Sequence, residues 1–277
     1  MKIVVVGLGV IGGSFTMALK EAGYKDVYGI DINEESLEKA KKLGLIREGF
    51  KNGEEVIKSA DFIIISLYPR LVKQFIIDNK SNFKDGAVIT DATGIKKMFI
   101  EDIVNILPEN IDFVFGHPMA GREKKGIDFA SSQVFKGANY ILTPVSRNKE
   151  ENLNMVEDLI YKIGFKRVKR ITPEYHDEMI GYTSQLPHSL AVALVNSDVE
   201  GRETGSFIGD SYRDLTRIAN INEDLWSELF LGNKENLLKS IENFEVELDK
   251  IKDAIKDDDK ETLKEIFIKS TKRREKL

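Results

Sequence analysis

Residues 2–12 read Lys-Ile-Val-Val-Val-Gly-Leu-Gly-Val-Ile-Gly, an apolar run that leads into three glycines with the spacing G-x-G-x-x-G. A run that is apolar at nearly every position is typical of a parallel strand covered on both faces. Gly7 permits a tight turn, and the residues after it have apolar side chains at helical spacing. The stretch therefore predicts a strand, a turn and a helix, the opening unit of a doubly wound α/β fold.

In this context the glycine string predicts a dinucleotide site. Gly9 lets the backbone approach a pyrophosphate, Gly12 allows close packing of helix on strand, and the helix N-terminus offers free N–H groups. Asp31 follows Gly12 by 19 residues and ends the next predicted strand. A carboxylate there accepts hydrogen bonds from the ribose and repels the 2′-phosphate of NADP, so we expect NAD. The residues assigned to the cofactor from this string are Gly7, Leu8, Gly9, Val10, Ile11 and Gly12.

The pattern of short apolar runs and amphipathic stretches continues over roughly the first 170 residues, as in a parallel sheet with crossover helices. We therefore predict an N-terminal Rossmann domain, with a doubly wound parallel sheet, over residues 1–171. The predicted strands are Lys2–Val6, Val27–Ile30, Phe62–Leu67, Ala87–Asp91, Phe113–Phe115, Asn139–Leu142 and Lys166–Arg170. The predicted helices are Ile11–Ala22, Glu34–Leu43 and Glu150–Ile163.

After Thr172-Pro173 the sequence shows helical patterns only, and Pro173 followed by Glu174 is a helix start signal. Glu178–Asn196 is apolar around much of its circumference, which predicts burial on more than one side and a kink at Pro187. Asn233–Ile255 and Lys260–Lys276 are amphipathic. We predict an all-α domain over 172–277 that binds substrate and forms a homodimer.

Composition excludes several classes of function. The 277 residues carry a net charge of −5, which gives no reason to expect nucleic acid or an anionic membrane as partner. There is no cysteine, so thiolate metal sites and cysteine nucleophiles are excluded, and we predict no metal. The start of the chain lacks a signal-peptide pattern, and no apolar run is long enough to span a bilayer. We expect a cytoplasmic protein.

Two strand ends are expected beside the cofactor. Ser66-Leu67-Tyr68-Pro69 and Asp91-Ala92-Thr93-Gly94 each follow a predicted buried strand. The carboxyl ends of parallel strands meet at the edge where α/β sheets bind ligands. We therefore assign Ser66, Leu67, Tyr68 and Thr93 to the cofactor site.

A histidine in a glycine-rich loop is the candidate for chemistry. Residues 116–123 read Gly-His-Pro-Met-Ala-Gly-Arg-Glu, just after a predicted strand. Histidine suits the removal of a hydroxyl proton as hydride leaves the same carbon, because its ordinary pKa of about 6.5 leaves it mostly neutral at pH 7. We predict that His117 is the catalytic base.

These residues, together with several later segments, resemble the prephenate/arogenate dehydrogenase family. The resemblance runs in order through nearly the whole chain, including the helical half. The segments that carry it are Gly116–Glu123, Gly126–Ala130, Phe135–Pro144, His176-Asp177, Thr183–His188, Tyr212–Ala219 and Leu225-Trp226.

The resemblance implies NAD-dependent oxidative decarboxylation of prephenate, giving 4-hydroxyphenylpyruvate in tyrosine biosynthesis. It implies that His117 takes the proton of the ring hydroxyl and that Arg217 binds a substrate carboxylate. Asp177 would be the ionic partner of Arg217, Glu123 would support the histidine loop, and His188 would lie near the substrate side chain. Independently of the family, a dianionic substrate requires a fixed cation, and a guanidinium suits a carboxylate.

This chain departs from the family at three positions. Gly94 replaces a serine that orients the histidine in many relatives, and Thr93 is the candidate substitute. Gln185 replaces a frequent histidine and could donate a hydrogen bond to substrate, and Ser211 replaces a frequent glycine. Arogenate or dual specificity therefore remains an alternative to prephenate. Two other classes stay open: a β-hydroxyacid dehydrogenase or imine reductase, and a cofactor-binding regulator without catalysis.

Overall fold

The computed structural model describes residues 1–122 and 124–276. Six strands form a parallel sheet in the order β3-β2-β1-β4-β5-β6, so the predicted doubly wound sheet is confirmed. Strand order reverses between β1 and β4, and ligands bind outside the carboxyl ends of strands at such a switch point. The strands are β1 (Ile3–Val6), β2 (Val27–Ile30), β3 (Gly49–Phe50), β4 (Phe62–Ile65), β5 (Val88–Asp91) and β6 (Asp112–Val114).

Both faces of this sheet are covered. Ile3 and Val5 belong to one apolar core and Val4 and Val6 to the other, because successive side chains of a strand point to opposite faces. This explains why β1 is apolar at every position. The helices that belong to this half are α1 (Val10–Glu21), α2 (Glu34–Lys42), α3 (Pro69–Asn79), α4 (Lys97–Ile106) and α5 (Glu150–Lys162).

A second, three-stranded sheet corrects the expectation of one parallel sheet. It contains β7 (Gly116–Pro118), β8 (Asn139–Leu142) and β9 (Arg167–Arg170), with β7 antiparallel to β8. Only Phe115 separates β6 from β7, whereas a parallel neighbour needs a crossover of a dozen or more residues. The chain therefore leaves the large sheet at Phe115, and β7 places His117 beside the end of β5, where the Gly116 amide donates to Asp91 Oδ1.

The remaining described residues, 171–276, are helical and contain no strand. Among the described residues, no helix combines the length and apolarity needed to cross a bilayer. The helices are α6 (Pro173–Ile180), α7 (Leu186–Asn196), α8 (Asp210–Thr216), α9 (Glu223–Gly232), α10 (Lys234–Lys256) and α11 (Lys260–Arg274).

The α6–α7 segment is the long helix expected around Pro187, with a wider turn inside it. Thr172 caps the start of α6 by accepting a hydrogen bond from the Tyr175 amide. Residues 181–185 form a π turn between the two helices. Pro187 lacks an N–H and its ring clashes with the carbonyl four residues earlier, so the helix widens just before it. The wide turn carries Gln185 and precedes His188.

Candidate active site

The glycine turn after β1 fits a dinucleotide. Gly7 has a φ of +84°, and a Cβ there would lie 2.4 Å from the Ser66 carbonyl oxygen. A Cβ on Gly12 would lie 1.7 Å from the Gly7 carbonyl oxygen, whereas one on Gly9 would meet nothing within 4 Å. Gly7 and Gly12 therefore serve backbone packing, and Gly9 keeps a space open above the start of α1. No side chain caps that helix start, so its orphan N–H groups remain available to an anion.

Asp31 stands at the end of β2, as the sequence predicts. Its Oδ2 accepts a hydrogen bond from the Leu8 amide at 2.6 Å, and its Oδ1 accepts one from the Asn33 amide at 2.8 Å. The carboxylate thus ties the glycine turn to β2. An acceptor in this position can also receive ribose hydroxyls.

The β4 end lies against the glycine turn. The Ser66 amide donates to the Val6 carbonyl at 2.7 Å, and the Leu67 side chain would lie 3.0 Å from a Cβ on Gly7. Tyr68 reaches further, because its hydroxyl accepts a hydrogen bond from the Asn222 side chain at 2.8 Å. Ser66, Leu67 and Tyr68 are therefore grouped at the predicted cofactor turn, and Tyr68 also links it to the helical half.

His117 is positioned by the residue before it. The Gly116 amide donates to Asp91 Oδ1 at 2.9 Å, and the Gly116 carbonyl accepts from Lys96 Nζ at 2.5 Å. A Cβ on Gly116 would lie 2.3 Å from the Tyr140 hydroxyl oxygen. The amide and the carbonyl of Gly116 are therefore both hydrogen-bonded, and the Tyr140 side chain leaves no room for a Cβ at this position. This arrangement explains why glycine precedes His117.

The pair that holds Gly116 is a buried ion pair. Lys96 and Asp91 are both 0% exposed, and Lys96 Nζ lies 2.6 Å from Asp91 Oδ2. Lys96 Nζ also donates to the carbonyl and hydroxyl oxygens of Thr93. Burial lowers the pKa of Lys96, and the Asp91 carboxylate opposes that change. Because the N–H donors of the ammonium all have oxygen acceptors, the charged form of Lys96 can be accommodated in the interior.

The His117 ring contacts a second histidine from the helical half. His117 Nδ1 lies 2.9 Å from His176 Nε2, and His176 Nδ1 lies 2.7 Å from Asp177 Oδ1. The Asp177 carboxylate also accepts hydrogen bonds from the amides of Lys96 and Lys97 at 2.9 and 2.8 Å. These amides lie at the start of α4, so a chain of contacts runs from that helix to the imidazole of His117.

The pKa values of both histidines are lowered, which favours the neutral form of each ring. Burial, the neighbouring His176 and the Lys96 charge together lower the pKa of His117 well below its usual value. Burial also lowers the pKa of His176, and the hydrogen bond to Asp177 opposes that change. A neutral imidazole with a free lone pair can accept a proton.

Gly94, and not Thr93, is the residue beside His117. A Cβ on Gly94 would lie 3.7 Å from His117 Nε2 and 3.2 Å from Leu229 Cδ2. The Thr93 hydroxyl instead contacts Asp91 and receives a hydrogen bond from Lys96 at 2.9 Å. Thr93 is 4% exposed. The suggestion that Thr93 replaces the serine of relatives is therefore wrong, because a shift of one residue turns its side chain into the buried network.

Gln185 connects helices of the C-terminal half. Its Nε2 donates to the Leu229 carbonyl at 2.8 Å, and its Oε1 accepts from Asn233 Nδ2 at 2.9 Å. Gln185 is 1% exposed. The amide thus holds α9 and α10 against the π turn, a structural role that the sequence analysis did not foresee.

His188 packs against an aromatic residue of α9. Its ring stacks on Trp226 with centroids 3.7 Å apart and an interplanar angle of 29°. His188 Nδ1 lies 2.8 Å from the Ser184 carbonyl oxygen, so this nitrogen is the donor. The contact with the π turn and the stack on Trp226 together fix the orientation of the ring.

Asp177 and Arg217 differ from their predicted relationship. The Asp177 carboxylate contacts His176 and the two α4 amides, and within residues 1–122 and 124–276 no ion pair joins it to Arg217. Arg217 begins a short 3-10 turn, residues 217–219, that packs against α7, the helix of His188. The predicted supporting residue Glu123 lies outside the described residues.

Three residues of the α9 region contact the N-terminal half. Asn222 contacts Tyr68, Leu229 packs beside Gly94, and Glu228 lies 3.0 Å from Arg70 Nε. The helical half therefore meets the segments that follow β4 and β5.

Sequence reasoning missed three residues of this site. Lys96 gave no signal because an isolated lysine usually belongs to a solvated face. His176 was noted only as part of the resemblance, although an adjacent His-Asp pair could have been flagged. Tyr140 lies in a predicted strand and could only be linked to Gly116 once the two strands were paired.

Comparison with known proteins supports the same assignment for both halves. Residues 15–169 match the family described as prephenate dehydrogenase, nucleotide-binding domain, and residues 172–269 match prephenate dehydrogenase, dimerization domain. Prephenate dehydrogenase of Bacillus subtilis is 31% identical over 96% of this chain and 73% of its own length. Cyclohexadienyl dehydrogenase of Zymomonas mobilis is 30% identical over 98% of this chain and 94% of its own length.

The likeness extends to three dimensions. The crystal structure of prephenate dehydrogenase from Aquifex aeolicus, in complex with hydroxyphenyl propionate and NAD+, superimposes with a TM-score of 0.90. It is 33% identical in sequence and covers 100% of this chain and 99% of that one. The NAD of this relative agrees with the cofactor expected from the glycine turn and Asp31. Fold, site and sequence lead to one conclusion: this chain belongs to the prephenate dehydrogenase family of NAD-dependent dehydrogenases.

Proposed function

We propose that this chain catalyses the NAD-dependent oxidative decarboxylation of prephenate to 4-hydroxyphenylpyruvate, a step of tyrosine biosynthesis. The observation that carries the proposal is the position of the His117 imidazole, which contacts His176 of the helical domain at 2.9 Å from the dinucleotide-fold side, in a member of this family. Its lowered pKa favours the neutral form. A base in that position can take a hydroxyl proton while hydride leaves the same carbon.

His117 handles the proton of the reaction. Its imidazole takes the proton of the ring hydroxyl as the hydroxyl carbon becomes a carbonyl, and the ring then aromatises by losing carbon dioxide. The resulting phenolate regains a proton, so prephenate and NAD+ give 4-hydroxyphenylpyruvate, carbon dioxide and NADH. Bound NAD supplies the hydride acceptor, and no metal is required.

Arg217 is our candidate for the cation that binds a substrate carboxylate. A planar guanidinium can form two parallel hydrogen bonds to a carboxylate. The packing of its turn against α7 supports a place near His188, the residue assigned to the substrate side chain. Gln185 acts on the substrate indirectly in this proposal, through the placement of α9.

The glycine turn and Asp31 hold the cofactor. The turn residues 7–12 accept the pyrophosphate, the Asp31 carboxylate receives the ribose hydroxyls, and Ser66, Leu67 and Tyr68 border the cofactor on the β4 side. Because a 2′-phosphate would be repelled by the Asp31 carboxylate, the enzyme prefers NAD to NADP.

Arogenate is the alternative substrate, and one observation on residue 185 supports this alternative. Residue 185 is a neutral amide with protein partners, so it places no positive charge that would repel the ammonium group of arogenate. The similarity to the cyclohexadienyl dehydrogenase of Zymomonas mobilis has the same implication.

The helical half forms a homodimer in this proposal. Several large apolar side chains of this half are exposed in the single chain, with Phe207 84%, Leu215 64% and Val199 58% accessible. Exposed apolar surface on this scale marks an interface, and the matching family domain is described as a dimerization domain. A monomer in light scattering at micromolar concentration would contradict the dimer.

Steady-state kinetics with prephenate and arogenate side by side tests the function. NADH and 4-hydroxyphenylpyruvate should form from prephenate and NAD, and the ratio of kcat/KM values assigns the preferred substrate. Absence of turnover with both compounds, in protein that binds NAD, would refute the proposal.

A further inference from the structure

We propose that His176 is a positioning residue that holds His117 in the tautomer with a proton on Nδ1, so that Nε2 is the proton acceptor. This inference rests on the proposed function and adds the residues that prepare its base. The contacts that carry it are the 2.9 Å approach of the two imidazoles and the 2.7 Å contact of His176 with Asp177.

The Asp177 carboxylate determines the tautomer of His176, and His176 in turn determines the tautomer of His117. The Asp177 carboxylate is an acceptor only, and its oxygens already receive the amides of Lys96 and Lys97. The proton between Asp177 and His176 must therefore be on His176 Nδ1. Neutral imidazole carries one proton, so His176 Nε2 is unprotonated and can only accept.

His117 must then donate to His176 through Nδ1. Its single proton is used in that contact, which leaves the lone pair of Nε2 available. Gly94 lies on the side of Nε2, because a Cβ placed on Gly94 would be 3.7 Å from this nitrogen. A substrate hydroxyl on this side would therefore meet the basic nitrogen.

No other described side-chain contact fixes the His117 ring by a hydrogen bond. Gly94 has no side chain, Leu229 is apolar, and Lys96 contacts the backbone of Gly116. The reverse tautomer would set the unprotonated Nδ1 of His176 against the Asp177 carboxylate, which is repulsive. The geometry therefore selects one tautomer through one residue, and that residue belongs to the helical half.

A matched pair of variants separates positioning from simple packing. His176→Gln keeps a side-chain oxygen that can accept from His117 Nδ1, whereas His176→Leu has a similar size and no acceptor. We expect His176→Leu to lower kcat by about 10- to 100-fold, part of the value of general base catalysis. The kcat of His176→Gln should be at least about tenfold higher than that of His176→Leu. Tyr175→Leu, an exposed neighbour on the same helix, is the control and should leave kcat unchanged.

A spectroscopic readout makes the test independent of turnover and, in the wild type, independent of how any variant folds. The chain has three histidines, so long-range proton–nitrogen spectra can assign each ring. In the wild type, Nδ1 of His117 should show the shift of a protonated nitrogen and Nε2 that of an unprotonated one. In His176→Leu the two forms should mix, with the dissociation constant for NAD unchanged.

The outcomes are distinct. A proton on Nε2 of His117 in the wild type, or equal kcat for the Gln and Leu variants, would overturn the role of His176. Lack of turnover in a wild type that shows the expected tautomer would refute the substrate assignment and leave the positioning role intact.

Discussion

The glycine turn and the surroundings of His117 are built in different ways. The turn uses residues 7–12, and its main outside supports are Asp31 and the end of β4. The surroundings of His117 combine a strand end, a buried lysine, a strand of the second sheet, α6 and α9. The cofactor site is therefore mostly local in sequence, whereas the surroundings of His117, the proposed base, are assembled from segments far apart.

This difference implies different consequences of mutation. A change at Gly9 or Asp31 should affect mainly cofactor binding, because a Cβ on Gly9 would meet nothing within 4 Å and Asp31 contacts backbone amides close to the turn. A change beside His117 should alter kcat, stability or both, because the same contacts hold the two halves of the chain together. The following predictions test that contrast, in order of decreasing expected effect.

His117→Asn should lower kcat by about 10²–10⁴, the usual contribution of a general base, because the amide cannot accept the hydroxyl proton. The dissociation constant for NAD should stay within about twofold, since the glycine turn is untouched. Steady-state kinetics and NAD titration measure the two effects. Full activity of the variant would disprove the role of His117.

Lys96→Met should destabilise the fold by about 3–5 kcal/mol, because it leaves the Asp91 carboxylate buried without its partner. Lys97→Met is the matched control: the neighbouring side chain is exposed, and its loss should change stability by about 0.5 kcal/mol or less. Denaturant unfolding of both variants makes the comparison. Equal stabilities would show that the buried pair contributes nothing.

Asp31→Ala should narrow the preference for NAD over NADP by about 10- to 100-fold, the value of hydrogen bonds to a charged group. The ratio of kcat/KM values for the two cofactors measures it. Asp26→Ala is the control, because Asp26 precedes β2 at its opposite end. If the wild type already prefers NADP, the interpretation of Asp31 is wrong.

Stability should fall as the pH drops from about 7 to 5. The pKa values of His117 and His176 are lowered in the folded protein, so below about 6.5 the unfolded state binds more protons than the folded state. Each such histidine contributes a slope of up to about 1.4 kcal/mol per pH unit. Unfolding of the wild type and His117→Asn at several pH values should give a shallower slope for the variant. Parallel slopes would contradict a lowered pKa for His117.

Gly94→Ser should have the smallest effect. A hydroxyl there would come within hydrogen-bonding distance of His117, but its Cβ would lie 3.2 Å from Leu229. One hydrogen bond is worth about 0.5–1.5 kcal/mol, so we expect kcat/KM to rise by at most about tenfold. A loss larger than tenfold would show that the absence of a side chain at residue 94 is itself required.

Much of the first half follows from local patterns. Ile3–Val6 and Phe62–Ile65 are apolar at every position, and such runs identify buried parallel strands without reference to distant residues. The second sheet could not be predicted from local patterns, because the sequence of Asn139–Leu142 does not reveal which sheet this strand joins. Its partner depends on where the chain turns, and that turn is made by the single residue Phe115.

The candidate site shows the same division. His117 was predicted because a histidine in a glycine-rich loop after a strand has few structural reasons to be there. Lys96 and Asp177 were missed or assigned other partners, because they contact residues 20 or more positions away, such as Gly116 for Lys96 and the Lys97 amide for Asp177. Spacing along the chain carries no information on such pairs.

The sequence by itself determined the dinucleotide turn, five of the six strands of the large sheet and the change to helices near residue 172, and it singled out His117 as the candidate base. Each of these depends on neighbours within a few turns of the chain. Only the tertiary structure decided that Lys96 is buried, that Gly94 adjoins His117 and that His176 touches it. Those facts depend on desolvation and on contacts between distant segments, which exist only after the two halves have packed together.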